Sequence, residues 1–386
     1  MRVEQLYPLI NTITQESVGD SVVLNEDLSN IVDVGDAIIG AIGVDNYVKA
    51  LVDRIGKVIF VSRVYNGSIP SVMRSDWDFG SILEKIDCEM PDAIQVNDTW
   101  DLQNNASYDP FVFRGAQISA KFFNEKVTFE VDISIAKRQV EESFVNAQQL
   151  NTFVEMIYTA VENSMTIKID GLIMRGINTM IAETVYDEFN ATSSFSALTG
   201  VKAVNLLKLF NDRFGTSLTQ AECITDKNFI KFASYIIGTY ASRMSKMSKL
   251  FNIDGKARFT PNDELSLVLH TDFWNASKSY LYSDTFHDEF VRLPDAEVVP
   301  YWQGSGTNYD FASTGKIMCT TPSNHTMTIT GVLGLAFDKR GIACCNYRRD
   351  TESIYNPRGQ FFNNFFKFDC HLIVDTSENA VVFFAE

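Results

Sequence analysis

The stretch TFVEMIYTAVENSMTIKIDGLIMRGINTMIAE, residues 152–183, decides the fold predicted for this chain. Apolar side chains recur along it at spacings of three and four, the pattern of one face of an α-helix. Thr152 stands three residues before Glu155, which predicts a capping box at the start of the helix. A helix of this size is roughly 50 Å long, far above the usual length of about 11–12 residues. Such a helix suits an elongated or plate-like subunit better than an ordinary globule.

The other face of this predicted helix is polar, and its middle is weak. The polar positions are Glu155, Thr159, Glu162, Thr166, Asp170, Arg175 and Asn178. Gly171 and Gly176 each cost about 1 kcal/mol relative to alanine in a helix interior. A kink near these glycines is therefore the alternative to one straight helix.

The composition bounds the class of protein. The chain has 386 residues, of which 45% are hydrophobic and 21% are charged, enough for a large core and for two or three structural regions. No apolar run reaches the length of a membrane span, and the N-terminus lacks the layout of a signal peptide. The six cysteines are scattered, so reduced thiols are expected. These features predict a protein that is neither secreted nor inserted in a membrane.

The net charge of −16 argues against general affinity for nucleic acid or for anionic membranes. The segment ASRMSKMSKLFNIDGKAR, residues 241–258, is a local exception, with five cations against Asp254 alone. Its first cations are predicted to lie at the end of a helix that starts near Asp226, where they complement the helix dipole. A patch that faces nucleic acid is the less favoured alternative.

The region between Gly67 and Phe113 is rich in Asp, Asn, Pro and Trp and has no helical period. It leads into VTFEVDISI, residues 127–135, whose strict alternation predicts a strand. We interpret the region as a long extended arm or hairpin. Four aromatic side chains are predicted to contact another subunit, because an isolated hairpin cannot bury them against itself; they are Trp77, Phe79, Trp100 and Phe113. The alternative is a small core formed by the arm folding back.

The rest of the chain mixes helices and strands. Residues 196–319 are predicted to form a central α/β unit that contains LSLVLHTDFWNASKSYL, a strand followed by a helix. After it, MTITGVLGLAF and FKFDCHLIVD alternate as strands. The turn YNPRG, residues 355–359, presents Arg358 at a projecting point. We predict that this side chain pairs with a carboxylate of a neighbouring subunit, a solvated turn being the alternative.

No motif in the sequence indicates catalysis. The four histidines lack metal-ligand spacing, and GSGTNYDFASTG at 304–315 matches neither a dinucleotide fingerprint nor a P-loop. His270, Asp272 and Ser277 could be imagined as a catalytic group, but such trios arise by chance in a chain of this size. The sequence therefore predicts no catalytic residue, no metal and no cofactor, and a protein that is not an enzyme.

The order of these parts resembles the major capsid proteins of tailed bacteriophages, which have the Hong Kong 97-type fold. The resemblance covers nearly the whole chain and includes three longer stretches similar to capsid proteins of gut phages. These are YNGSIPSVMRSDWDFGSILEKIDCEMPDA (65–93), LVLHTDFWNASKSYLYSDTFHDEFVRLPDAEVVPYWQG (267–304) and DKRGIACCNYRRDTESIYNPRGQFFNNFFKF (338–368). The implied fold class is α+β, with an N-terminal arm, an extended loop, a peripheral domain with a long spine helix and a central or axial domain.

The resemblance also implies an organisation along the chain and a function. The implied segments are 1–65 (N-terminal arm), 66–126 (extended loop), 127–195 (peripheral domain with spine helix), 196–319 (axial domain) and 320–386 (C-terminal strands that return to the peripheral domain). The implied protein self-assembles through pentamers and hexamers into an icosahedral shell around the phage genome. It would be a virion protein assembled in the bacterial host cytoplasm.

The implied partners are other copies of the chain, a separate scaffolding protein, a portal and packaged DNA. Contacts with DNA would be non-specific at most, and no contact with a membrane is implied. A separate scaffold is expected because the sequence starts almost at once with the arm. Two alternatives to this function stay open on the residues alone. They are a soluble α/β enzyme, such as a hydrolase with an unrecognised site, and another structural protein of the virion.

Overall fold

The computed structural model of the chain describes residues 69–73, 83–91, 102–107, 115–123, 125–138, 147–190, 195–282, 296–303 and 315–386, with the single residues 11, 14, 25, 34, 37, 41 and 111. Nearly all of the predicted N-terminal arm therefore lies outside the described residues. The described elements are strands β1 Leu83–Cys88, β2 Ile118–Phe123, β3 Lys126–Ala136, β4 Ala203–Asn205, β5 Leu265–His270, β6 Glu297–Val299, β7 Ile317–Thr320, β8 Thr326–Ile329, β9 Val332–Asp338, β10 Ile342–Asn356, β11 Phe361–Val374 and β12 Ala380–Phe384. The α-helices are α1 Ala147–Phe189, α2 Leu206–Phe214, α3 Gln220–Cys223, α4 Lys227–Met244 and α5 Thr271–Tyr282.

The chain divides into two compact units. Unit 1 comprises residues 1–80, 126–175 and 344–372, and unit 2 comprises residues 81–125, 176–343 and 373–386. Helix α1 and strands β10 and β11 each contain a boundary between the units. The five segments predicted from the sequence remain predictions.

Helix α1 is even longer than its sequence pattern predicts. It has 43 residues, which corresponds to about 64 Å at 1.5 Å per residue. The predicted start was wrong, since the helix begins at Ala147 and Thr152 is an interior residue that cannot form the capping box. The helix continues through Gly171 and Gly176 as one element. It ends before Asn190, whose φ of 48° is the left-handed conformation that commonly terminates helices.

The burial of α1 changes along its length. Within unit 1, the buried apolar positions recur every three or four residues: Ile157, Val161, Met165, Ile169, Leu172 and Ile173. From Gly176 to Ala182 every residue is buried. The polar face predicted from the sequence was therefore wrong at Asn178, which is buried and donates from Nδ2 to the carbonyl oxygen of Trp302 at 3.0 Å. The helix is amphipathic in unit 1 and a core helix in unit 2.

Unit 1 contains a three-stranded antiparallel sheet in the order β10, β11, β3. The alternation predicted for residues 127–135 is confirmed, because β3 pairs with β11 so that apolar residues oppose one another on one face, as in Phe129 opposite Phe368. Their ring centroids are 5.3 Å apart. On the opposite face, Thr128 donates to Asp369 at 2.5 Å and Lys367 lies 3.4 Å from Glu130.

Unit 2 is built on a mixed five-stranded sheet in the order β4, β12, β9, β5, β6. Strands β4, β9 and β12 are buried at every position and β5 at every position after Leu265, whereas the edge strand β6 is buried only at Val299. Helices α2, α4 and α5 supply the apolar side chains of the core beside the sheet, among them Phe210, Phe229 and Phe273. Gly215 ends α2 with φ 66°, and Asp226 caps α4 by accepting from the Phe229 N–H at 2.7 Å. The predicted strand followed by a helix is confirmed as β5 and α5, whereas the predicted central α/β unit over residues 196–319 stays a prediction.

Two local predictions in unit 2 need correction. MTITGVLGLAF is not one strand, because Gly331 at φ 62° turns the chain between β8 and β9. Helix α4 ends at Met244, so among the cations of segment 241–258 only Arg243 lies in its last turn. Lys246 and Lys249 follow the helix end, and the helix dipole does not explain them.

Candidate functional site

Strands β1 and β2 form a two-stranded antiparallel ladder at one side of unit 2, and we call them the β1–β2 hairpin. Residues directly opposite each other in such a ladder lie on the same face. The pairs Glu84 with Phe122, Ile86 with Ala120 and Cys88 with Ile118 define one face. The pairs Lys85 with Lys121 and Asp87 with Ser119 lie on the other. The hairpin therefore has an apolar face and a charged face.

The apolar face of the hairpin is open. Ile86, Ile118 and Phe122 are 67%, 68% and 65% exposed, and Cys88 is also exposed. Single exposed apolar residues are ordinary on protein surfaces, but several on one strand pair form a contiguous patch. Such a patch is the usual mark of a surface that contacts another protein.

The charged face is held by carboxylates near the C-terminus of the chain. The ammonium group of Lys85 pairs with Asp375 and lies 2.5 Å from Glu378 Oε1. Lys121 lies 2.8 Å from Asp254 Oδ2 and 3.4 Å from Asp375 Oδ1. Both hairpin lysines thus reach the carboxylate of Asp375, whose side chain is almost completely buried.

These charges alter the acidity of the groups involved. Burial alone would raise the pKa of Asp375, but its hydrogen bond and ion pair with Lys85, together with hydrogen bonds from Ser377, lower the pKa to about 2. For Lys121, burial would lower the pKa, whereas the contacts with Asp254 and Asp375 raise it above the ordinary value. Both groups are therefore held in their charged forms across the neutral range.

Asp87, at the end of β1, binds the cations that the sequence analysis singled out. Its Oδ2 lies 2.7 Å from both Lys256 Nζ and Arg258 Nη2, and Lys256 also donates to Ser119 at 3.0 Å. Burial would raise the pKa of Asp87, but these two cations lower it. Lys256 and Arg258 thus have partners inside unit 2, which argues against the alternative of a patch that faces nucleic acid.

The carboxylates that receive the hairpin lysines belong to the turn between β11 and β12, residues 375–379, which we call the acidic turn. Asp375, Ser377, Glu378 and Asn379 are all buried. Asp375 Oδ1 accepts from the Ser377 N–H at 3.0 Å and from its hydroxyl at 2.7 Å. Asn379 donates from Nδ2 to the hydroxyl of Thr260 at 3.2 Å. These polar groups therefore have hydrogen-bond partners within the fold, which hold the side chains of the turn in place.

A cleft of about 380 Å³ lies beside the hairpin, between residues 87–90 and residues 247–264. Its lining contains five carboxylates and four cations: Asp87, Glu89, Glu264, Asp338, Glu378, Lys249, Lys256, Arg258 and Arg340. Because the two signs nearly balance, the cleft does not match a polyanion such as nucleic acid.

The residues predicted for subunit contacts are placed only in part. Trp77, Phe79, Trp100 and Phe113 lie outside the described residues. Arg358 lies in the exposed turn between β10 and β11, as predicted, and its backbone N–H donates to Asn356 Oδ1 at 3.1 Å. Within the described part of the chain its guanidinium group has no ion-pair partner.

The trio considered for catalysis is not arranged as a catalytic group. The hydroxyl of Ser277 donates to the carbonyl oxygen of Trp274 at 2.8 Å, within its own helix. His270 is buried and accepts at Nδ1 from the Asp272 N–H at 3.3 Å, at the start of α5. Among the described residues, no group of three or more His, Cys, Asp or Glu side chains could hold a metal ion. Within the same residues, no helix is long and apolar enough to cross a bilayer.

The apolar face of the hairpin was missed by the sequence analysis, although a signal was present. Ile118, Ala120 and Phe122 alternate with Ser119 and Lys121, a period of two. That pattern separates an apolar face from a charged face.

Comparison with known proteins identifies what the chain is similar to. The family of Phi29-like phage major capsid proteins matches residues 10–384. A chain of the capsid structure of Staphylococcus phage Andhra aligns with a TM-score of 0.51 at 8% identity, over 84% of this chain and 86% of that chain. A chain from the structure of the head fiber and inner core protein gp22 of native bacteriophage P68 aligns with a TM-score of 0.53, also at 8% identity and over 84% and 86% of the two chains. No curated protein sequence matches significantly.

Proposed function

Because the chain belongs to the Phi29-like phage major capsid protein family and so forms the shell of a phage head, we propose that the β1–β2 hairpin is the part of each subunit that lies on its neighbour. The fold is the α+β, Hong Kong 97-type fold of phage capsid proteins. The observation that carries the proposal is the division of the hairpin into two faces. One face is tied to its own unit by ion pairs, while Ile86, Ile118 and Phe122 on the other remain about two-thirds exposed.

This hairpin lies within the segment 66–126, which we assign to the extended loop of the subunit. The helix α1 is then the spine helix of a peripheral domain that begins at residue 127, and residues 196–319 form the axial domain. The C-terminal residues 320–386 supply the remaining strands. Trp77, Phe79, Trp100 and Phe113 belong to the same loop region and would add to the intersubunit contact. Burial of three large side chains accounts for about 1.5–3 kcal/mol each, a substantial share of one contact.

We assign Arg358 to a second contact. Its turn projects between β10 and β11, and its guanidinium group can bind a carboxylate of a neighbouring subunit through two parallel hydrogen bonds. The assembled product is an icosahedral shell of pentamers and hexamers located in the virion and built in the cytoplasm of the host. A separate scaffolding protein and a portal take part in its assembly. Contacts with packaged DNA are non-specific at most, in keeping with the net charge of −16.

The experiment that tests the hairpin contact replaces Ile118 and Phe122 together by serine and measures shell formation by electron microscopy and sedimentation. We expect folded subunits that fail to form shells, because the apolar area of the contact is lost. The matched control is Ile118→Val, which keeps the face apolar and should assemble normally. Shells from the double serine variant with the yield of the parent would contradict the proposal.

The contact of Arg358 is tested in the same assay. Arg358→Glu should reduce assembly while the subunit stays folded, because the new charge repels the carboxylate of the neighbour. Arg358→Lys keeps the charge but loses the paired hydrogen bonds, so an intermediate yield is expected. Normal shells from Arg358→Glu would support the alternative of a solvated turn.

A further inference from the structure

We propose that the acidic turn, through Asp375 and Glu378, is a positioning site that sets the direction of the β1–β2 hairpin in the subunit before it meets a neighbour. The proposal rests on the proposed function of the hairpin as an intersubunit contact. Its role is distinct from that contact, because the residues concerned lie on the opposite face of the hairpin.

Ion pairs connect both strands of the hairpin with the rest of unit 2, and we call each of these connections a tie. Lys85 of β1 and Lys121 of β2 both reach Asp375. Each strand also has a carboxylate partner of its own, Glu378 for Lys85 and Asp254 for Lys121, so the hairpin is held at two separate points. Two points fix a direction, whereas one point permits rotation. Asp87 adds a third tie through Lys256 and Arg258.

The carboxylate of Asp375, which both hairpin lysines contact, is oriented by hydrogen bonds. Asp375 is nine-tenths or more buried and is oriented by Ser377, and the backbone N–H of Asp375 donates to the Gly341 carbonyl at 2.7 Å. A buried carboxylate of fixed orientation allows its lysine partners few positions. The acidic turn thus determines where the hairpin lysines lie.

The loop that carries Lys256, residues 251–258, is hydrogen-bonded to the acidic turn as well. Asn252 accepts from the Lys256 N–H at 2.8 Å and donates to the Lys256 carbonyl at 2.7 Å, which closes the loop that carries Lys256. The Ile253 N–H donates to the Thr376 carbonyl at 3.3 Å, and the Ala380 N–H donates to the Phe251 carbonyl at 2.8 Å. The third tie of the hairpin therefore moves together with the first two.

The ties of the hairpin differ from ordinary surface ion pairs in the burial of the charged groups. An exposed pair such as Lys208 with Asp212 contributes little, since water screens both groups. Lys85 forms ion pairs with two carboxylates that are both buried. Loss of these ion pairs leaves the buried carboxylates charged and poorly solvated. A hairpin held in this way is oriented in the isolated subunit.

The test measures a distance in the full-length, unassembled subunit. A spin label on the exposed Cys88 of the hairpin and a second on Ser242→Cys of α4, both in unit 2, report the distance between hairpin and helix, with Cys319 replaced by serine. We expect one narrow distance distribution for the parent. Lys85→Met with Lys121→Met should broaden it and shift its mean, because the lysine stems remain but the ties are lost.

The controls separate positioning from general stability. Lys85→Arg with Lys121→Arg keeps the charges and should retain the narrow distribution, and Lys208→Met removes only an exposed pair and should leave it unchanged. Glu378→Gln removes the negative charge of one partner of Lys85 with almost no change in side-chain volume, and it should broaden the distribution less. This variant decides the question if the double methionine variant does not fold.

The outcome that overturns the proposal is a distribution as narrow in the double methionine variant and in Glu378→Gln as in the parent. Broadening in the arginine variant equal to that in the methionine variant would also overturn it. Neither result depends on assembly, because the measurement is made on separate subunits. Failure of the hairpin contact is seen instead in the assembly of the Ile118 and Phe122 variant.

Discussion

Lys85 donates a hydrogen bond from its ammonium group to Glu378 Oε1 at 2.5 Å, although 293 positions separate the two residues in the sequence. The contact joins a strand of the hairpin to the turn that precedes the last strand of the chain. It can form only after β11 and β12 have brought the acidic turn to the edge of the core. The direction of the hairpin is therefore a property of the completed fold of unit 2.

The first prediction concerns the stability of the subunit at acidic pH. The pKa of Asp375 is lowered from 3.8 to about 2 in the folded chain, so the folded state binds its proton less readily than the unfolded state does. The stabilisation is complete above pH 3.8, declines as the pH falls towards 2, and amounts to about 2 kcal/mol. Lys85 and Lys121 are the charged groups that face this carboxylate, and Glu378 is the other carboxylate that Lys85 contacts.

The measurement is urea unfolding of the unassembled subunit from pH 7 to pH 2, for the parent and for Asp375→Asn. The variant should be less stable at neutral pH, and the difference between the two proteins should shrink as the pH falls from about 4 to 2. A difference that is constant over this range would show that Asp375 contributes through shape and not through its charge.

A second prediction compares two aspartates that each bind a lysine. Asp87 is partly buried and binds two cations, whereas Asp212 is exposed and binds Lys208 one helical turn away. Asp87→Asn should lower the free energy of unfolding by about 1.5–3 kcal/mol, the range for hydrogen bonds to charged groups. Asp212→Asn should change it by less than about 0.5 kcal/mol. Equal effects in thermal unfolding of the two variants would mean that the tie at Asp87 is no stronger than a surface pair.

Much of the fold could be predicted because the signals are local. The helix period of α1, the alternation of β3 and the start of α4 near Asp226 each depend on residues close in sequence, and each was predicted. The start of α1 was missed because Thr152 and Glu155 form a favourable capping pattern in the sequence, although the helix already begins at Ala147. The burial of Asn178 was missed because its partner, the Trp302 carbonyl, is 124 residues away.

The candidate site could be predicted less well for the same reason. The two strands of the hairpin and their alternation can be recognised in two short stretches of sequence. The ion-pair partners of their charged residues cannot. Nothing near Lys256 or Arg258 in the sequence indicates Asp87, and the excess of positive charge in their segment gave contact with nucleic acid as the alternative instead. Long-range ion pairs have no period, so they become visible only when the strands are placed.

A third prediction uses two isoleucines of the same helix. Ile177 of α1 is completely buried, and Ile167 is 69% exposed. Ile177→Ala should cost about 2–5 kcal/mol, because it removes buried methylene groups and leaves a cavity. Ile167→Ala should stay within about 0.5 kcal/mol in the unassembled subunit. Thermal unfolding of both variants checks this, and a large loss for Ile167→Ala would mean that its surroundings in the isolated subunit are not solvent.

The last prediction compares two glycines that share a left-handed backbone and differ in their surroundings. Gly331 has φ 62° and Gly215 has φ 66°, so alanine is strained at both positions. A Cβ at Gly215 would meet no atom within 4 Å, whereas one at Gly331 would collide with the Ala385 carbonyl oxygen and the Gln220 amide. That carbonyl accepts from Gln220 Nε2 at 2.9 Å and follows β12, so it cannot move without disturbing the central sheet. Gly215→Ala should therefore cost about 1 kcal/mol from the backbone alone, and Gly331→Ala about 2–4 kcal/mol. Chemical unfolding of the two variants measures the difference, and equal losses would show that the close approach of the strand end to Gly331 places no constraint on the fold.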